Sequence, residues 1–267
     1  MIRRTFPCFC AALLLATFAC SAAEAVPGDA NTLTVLSSGG IMGAIREVAP
    51  AYQKKFGVKL NVLAAPSMGD TPQAIPNRLA KGEDADVVLM VGSALDTLIA
   101  DGQADKASRV DLGKSFIAMA VRQGEPKPDI STMQNLRKVL VESKSVAYSD
   151  SASGVYLSKT LFPRLQLRST FDAKAHMIPA EPVGAVVARG QAQIGFQQLS
   201  ELKPVPGISI VGLIPAEAQK MTMYSGAMVS KSQHQAAAKA LLEYLASPQA
   251  DAAIKSSGLS PLPHHAS

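Results

Sequence analysis

Tryptophan is absent from this 267-residue chain, and aromatic residues make up only 5% of it. A packed core must therefore be aliphatic. Cysteine is almost as scarce, with Cys8, Cys10 and Cys20 all near the start. Charged residues make up 18%, and the net charge of +5 is mild. That lacks the dense Lys/Arg clustering of a nucleic-acid binder. With 48% hydrophobic residues, the composition also excludes disorder, collagen and coiled coil. No Gly-Lys-Ser/Thr follows Gly39-Gly40-Ile-Met-Gly43, so a Walker loop is excluded. There is no Gly-x-Ser-x-Gly elbow. No histidine and carboxylate cluster has metal spacing.

What is present begins with an export signal. Arg3 and Arg4 are followed by an apolar run from Phe9 to Ala19 and by Ala23-Glu24-Ala25. Residues 1–25 thus read as a secretory signal peptide, too short for a membrane span. Cys20-Ser21-Ala22 offers a second cleavage pattern, and the arginine pair ahead of Phe6 also fits a twin-arginine signal. Cleavage after Ala25 removes every cysteine, and with them any disulfide or thiolate ligand. It also lowers the net charge from +5 to +4, because Arg3, Arg4 and Glu24 leave. Lipid attachment at Cys20 is the alternative, through the poor lipobox Thr17-Phe18-Ala19. The rest of the chain has no apolar run of membrane-spanning length, so no membrane insertion is expected after cleavage.

From Leu33 the pattern alternates. Leu33–Leu36 reads as a strand and Ile41–Phe56 as a helix ended by Gly57. Val58–Ala64, a helix at Ala74–Leu79, the apolar run Asp86–Val91 and a helix at Ala94–Ala100 continue it. Strands that alternate with helices predict mostly parallel sheets flanked by helices. The pattern restarts with a strand at Ser115–Val121 and continues to Val211. Met221–Val229 is a further strand, and Gln235–Leu245 a strong helix. The expected division is residues 32–112 with 227–262 in one lobe and 113–226 in the other.

Ligands of open α/β sheets bind at the carboxyl ends of strands. Three such ends carry hydroxyl and glycine residues: Ser37-Ser38-Gly39-Gly40, Pro66-Ser67-Met68-Gly69-Asp70-Thr71 and Ser149-Asp150-Ser151-Ala152-Ser153-Gly154. Each precedes a helix, whose free amides and dipole favour an anion. Any one of them also serves as a helix cap. Three together predict one anion cleft shared by both lobes, on which Ser38, Ser67 and Ser153 converge. His176, His264 and His265 have no such setting.

These loops, in this order, resemble the periplasmic molybdate-binding proteins of ABC transporters, a family of type II solute-binding proteins. The resemblance runs from Leu33 to about Leu262. It rests on Val35-Leu-Ser-Ser-Gly-Gly-Ile-Met-Gly-Ala-Ile45, Leu79-Ala-Lys-Gly-Glu-Asp-Ala-Asp-Val-Val-Leu89, Ser153-Gly-Val-Tyr156, Ala180-Glu-Pro-Val183 and Tyr244-Leu-Ala-Ser-Pro-Gln-Ala250. It implies a two-lobed α/β fold with a two-stranded hinge and a ligand clamped between the lobes. The site departs from the family. Gly40 stands where the family has an oxyanion-binding serine, unless the register slips to Ser38. Ser67 stands in for the second serine, and Val183 matches a backbone contact. Gln198, beside Gln197, replaces a binding tyrosine.

Those departures favour a larger and more polar anion, such as a polycarboxylate, and point to a branch resembling aconitate isomerase. Two readings follow from the resemblance. One is a periplasmic isomerase that interconverts trans- and cis-aconitate by an allylic proton shift. The other is a solute-binding protein that hands a small carboxylate or oxyanion to an ABC permease. The ligand-binding set is Ser37, Ser38, Ser67, Ser153, Val183, Gln197 and Gln198. Asp70 and Tyr156 are the candidate catalytic residues, with Asp150 and Lys159 as further bases and Arg78 as a donor. No metal and no cofactor is expected. N-terminal sequencing of the exported protein should give a start at Val26; a lipid-modified start at Cys20 would overturn that expectation.

Overall fold

The computed structural model describes residues 31–264 except Arg168 and Ala180. The export signal read at residues 1–25 lies outside them. The strands are β1 (Thr32–Ser37), β2 (Lys59–Ala64), β3 (Val87–Val91), β4 (Val110–Ser115), β5 (Ile117–Arg122), β6 (Val146–Ser149), β7 (Ala175–Ile178), β8 (Ile194–Gln198), β9 (Ile208–Leu213), β10 (Thr222–Met228) and β11 (Ser260–Pro261). The helices are α1 (Gly39–Phe56), α2 (Ile75–Ala80), α3 (Gly92–Ala100), α4 (Met133–Glu142), α5 (Ala152–Tyr156), α6 (Phe162–Arg164), α7 (Ser169–Asp172), α8 (Val183–Ala188), α9 (Leu199–Leu202), α10 (Gln235–Leu245) and α11 (Asp251–Ser256). A π-helical turn at Leu157–Leu161 joins α5 to α6. Both sheets belong to one compact unit that begins at Asn31.

The first sheet has the order β11-β4-β10-β3-β1-β2 and the second β7-β6-β8-β5-β9. Each has a parallel heart: β2 and β3 flank β1, as the alternation predicts, and β7 and β8 flank β6, although no strand is expected from sequence at Ala175–Ile178. Antiparallel strands extend both, β10, β4 and β11 in one and β5 and β9 in the other. The sheets are thus mixed rather than mostly parallel, because the chain changes sheet at these strands. What reads in sequence as one strand from Ser115 to Val121 is divided at Phe116: β4 pairs with β10, whereas β5 pairs with β8 and β9. The return lies between β9 and β10. The crossings therefore fall after Gly113 and before Gly226, a few residues from where the sequence placed them.

Period-two alternation builds the core. In β3, Val87, Leu89 and Val91 face the α1, α10 and α11 side, while Val88 and Met90 face α2 and α3. Both faces are covered, so all of β3 is buried. In β5, Ile117, Met119 and Val121 join the large core of the second sheet. Ala118 and Ala120 face the other way, against Leu202. Small alanines there let α9 lie close on the sheet, which positions the residue ahead of Leu202. α1 ends at Gly57, whose φ of 70° closes the C-cap onto the Gln53 carbonyl.

Asp86, at the entrance to β3, ties distant segments together. Its carboxylate accepts from the Thr34 amide (2.8 Å), the Ser232 hydroxyl (2.6 Å) and the His234 ring (3.0 Å). It thereby joins β1 to the segment that leads into α10. Replacing Asp86 by Ala leaves the Thr34 amide without its acceptor. Unfolding in urea should show a loss of roughly 2–4 kcal/mol at an unchanged m-value. A loss below about 1 kcal/mol would mean that this cluster is dispensable.

Candidate functional site

The ends of β1, β2, β6 and β8 open on one cleft of about 670 Å³. Ser38 caps α1 with an extended backbone, and its amide donates to the Leu89 carbonyl at 2.8 Å. The next amides, of Gly39 and Gly40, have no acceptor within the helix. The α1 dipole adds partial positive charge there. On the second loop, the Ser67 hydroxyl accepts from the Val91 amide at 2.9 Å. That bond pins the loop to β3 and leaves the hydroxyl proton to be donated. From the other sheet come Ser149, Asp150 and Ser151, then Gln197, Gln198 and Glu201. Arg46 is the basic residue among those lining the cleft.

Four side-chain atoms on this wall are buried without a partner: Ser38 Oγ, Thr71 Oγ1, Gln198 Oε1 and Glu201 Oε2. Buried polar atoms are nearly always paired, and each orphan costs roughly 1–3 kcal/mol. Four in one cleft mark a place built for a polar ligand.

Of the residues singled out from sequence, Ser38, Ser67, Asp150, Gln197 and Gln198 line the cleft. Ser37 lies fully buried behind the wall, its hydroxyl donating to the Ser38 carbonyl at 3.3 Å. Ser153 is also behind it, 3.1 Å from the Ser149 hydroxyl, which in turn reaches Ser151 at 2.8 Å. The helix that follows rotates Ser153 inward and leaves Ser149 and Ser151 on the surface of the cleft. The Val183 amide donates to Gln197 Oε1 at 3.0 Å. Asp70 is exposed and outside the wall. The Tyr156 hydroxyl donates to the Ala218 carbonyl at 3.0 Å, and its ring packs on the second core. Lys159 is exposed, and Arg78 pairs with Glu83.

Two residues that the sequence reading passed over, Tyr224 and Glu201, meet at the first loop. Tyr224 stands on β10 and is 2% exposed. A Cβ at Gly40 would lie 1.9 Å from its hydroxyl oxygen. The phenol thus fills the space in which a serine side chain would stand at position 40. Gln198 reaches the cleft from β8, and Tyr224 brings a tyrosine to it from β10. Glu201, in the single turn of α9, places Oε1 3.0 Å from where a Cβ of Gly39 would be. Burial pushes its carboxyl up to about 7. Hydrogen bonds from the Gln197 side chain and the Gln198 backbone pull the other way, and nearby Asp150 adds to the rise. Burial, and then Glu201, push the Tyr224 phenol well above its usual range. It stays a neutral donor. The glycine pair was the available signal, since a glycine in place of a ligand-binding serine implies a neighbour in its space.

The family model for bacterial extracellular solute-binding proteins matches residues 33–260. The chain belongs to this family. A relative in this solute-binding group, 73% identical over 252 residues, is an aconitate isomerase from a Pseudomonas species; the match covers 94% of this chain and 95% of the relative. The molybdate-binding protein ModA of Escherichia coli K12 is 25% identical, over 86% of this chain and 89% of its own. Among solved solute-binding structures, the Azotobacter vinelandii periplasmic molybdate-binding protein superposes with a TM-score of 0.67 at 20% identity, covering 87% of this chain and 100% of that one. PEB3 of Campylobacter jejuni, bound to L-phospholactate, gives 0.64 at 17% identity, covering 86% and 100%. No described helix is long and apolar enough to cross a membrane.

Gly40→Ala should force Tyr224 aside and destabilise the solute-binding fold by roughly 1–3 kcal/mol. Tyr224→Ala makes the room, so the double variant should be less destabilised than the two single losses added together. Urea unfolding of the three variants measures this. Strict additivity would show that the two residues do not meet.

Proposed function

We propose that this protein is a periplasmic aconitate isomerase that interconverts trans- and cis-aconitate by moving a proton across the allylic system. The observation that carries this reading is the 73% identity to an aconitate isomerase over nearly the whole chain. The cleft supports it chemically. A tricarboxylate needs several anion donors that do not all depend on cations. The α1 amides, the Ser38 and Ser67 hydroxyls, Thr71 and Arg46 would supply them from one sheet, and from the other come the amide hydrogens of Gln197 and Gln198 that are left over from their bonds to Glu201 and Thr222. Ser37, Ser153 and Val183 hold those groups in place through the bonds described above. Removal of a methylene proton spreads charge toward a carboxylate, where fixed donors stabilise it more than they stabilise the substrate. No step needs a metal or an organic cofactor. Export through residues 1–25 would deliver the protein to the periplasm.

Incubation of the purified protein with trans-aconitate alone should yield cis-aconitate, detected by chromatography, with many turnovers per protein. Binding of trans-aconitate without conversion would overturn the reading. It would favour capture of a carboxylate for an ABC permease instead.

A further inference from the structure

The cleft wall carries three carboxylates, and they differ in kind. Asp150 and Glu181 are exposed, whereas Glu201 has an oxygen sealed from solvent and unpartnered. Its other oxygen lies against Gly39, at the amide end of the 18-residue α1. That is where a carboxylate of an anionic ligand would seek donors. Glu201 belongs to α9, which packs on the second sheet, and it touches α1 of the first. It therefore sits where elements of the two sheets meet at the cleft. The neutral Tyr224 hydroxyl lies over the adjacent Gly40, near enough to Glu201 to feel its charge.

We propose that Glu201 is the catalytic proton carrier of the isomerisation, with the Tyr224 hydroxyl donating to the carboxylate that gathers the charge. The inference rests on the isomerase reading above. In the first step the methylene C–H bond of trans-aconitate breaks and an O–H bond forms on Glu201. The electron pair left behind delocalises over the three-carbon allylic unit. In the second step that O–H bond breaks, and a C–H bond forms at the former vinylic carbon. The double bond has then moved to the other side of the central carbon. Nothing is oxidised or reduced, and no proton is gained or lost overall. The conformation in which the wall holds the former methylene arm sets the cis geometry of the new double bond. A carboxyl that titrates near 7 suits both steps, because it takes and returns a proton at neutral pH with little driving force lost.

The test compares Glu201→Gln with the unmodified protein in two measurements, conversion of trans-aconitate and its affinity by calorimetry. Conversion should fall by roughly 10²–10⁴, while affinity stays within about fivefold. Conversion that falls less than about tenfold would overturn the proposal. So would a loss that only tracks weakened binding, because Glu201 would then be a binding residue alone. Glu201→Asp, which keeps the charge, carries the test if the glutamine variant does not fold. Its shorter arm should leave conversion measurable but reduced by about tenfold or more, and full activity would overturn the proposal. If the unmodified protein does not convert trans-aconitate at all, the isomerase reading itself fails, and this inference falls with it.

Discussion

The phenol of Tyr224 and the backbone of Gly40 cannot be moved apart without changing the character of the cleft. With 1.9 Å between the hydroxyl oxygen and the place of a Cβ, only glycine fits at position 40. Tyr224 lines the same cleft as Glu201, and the pKa of each is raised. Burial is the larger cause in each of the two shifts. A serine at position 40 would need that space for itself. The crowding at position 40 thus stands beside a carboxyl, Glu201, that burial raises to about 7.

The same economy governs charge. The lining includes Arg46 as its basic residue, against Asp150, Glu181 and Glu201. A polyanion held by matching cations would need more of them. Here the donors are instead amides, hydroxyls and amide side chains, which are fixed by the fold and need little reorganisation when charge moves. The four orphaned atoms are the cost of that readiness. They differ in what they ask of a ligand, since the hydroxyls can donate to it whereas Gln198 Oε1 only accepts. A fully ionised ligand leaves Gln198 Oε1 unsatisfied unless water joins it. A protonated Glu201, by contrast, donates to a ligand carboxylate.

Much of this was legible in the sequence, for physical reasons. The apolar run of β3 reads as buried because both of its faces are covered, and the three hydroxyl-rich loops read as an anion site because each is a contiguous strand-to-helix turn. What stayed hidden depended on contacts between distant segments. Tyr224 lies in a strand whose alternation makes it look like core, and 2% exposure does mark it as core; its hydroxyl end alone reaches the cleft. Glu201 sits in a four-residue helix, too short to show a pattern. Ser153 was separated from Ser149 and Ser151 by helix phase, which a loop motif does not specify. β4 was missed because Val110-Asp-Leu-Gly-Lys-Ser115 alternates weakly, and its place is set by β10 and β11.

A solute-binding cleft and a proton-transfer site make opposite demands on a carboxyl group. Capture of an anion is best served by having no carboxylate near the α1 amides, since it competes for them and repels the ligand. Proton transfer needs a base within reach of the carbon, hence near those same amides. A carboxyl that titrates near 7, and so is neutral for part of the time in the empty cleft, meets both demands. As a neutral acid it donates to an arriving carboxylate instead of repelling it. Transfer begins from the ionised fraction, which near pH 7 is comparable to the neutral one. The desolvation that raises the pKa is thus what lets one scaffold bind a polyanion and also carry its proton. Glu201 is carried by α9, which packs through Leu202 on the alanines of β5. Glu201 lies outside the three hydroxyl-rich loops, so in the proposed reading the proton carrier is separate from the loops that would hold the anion.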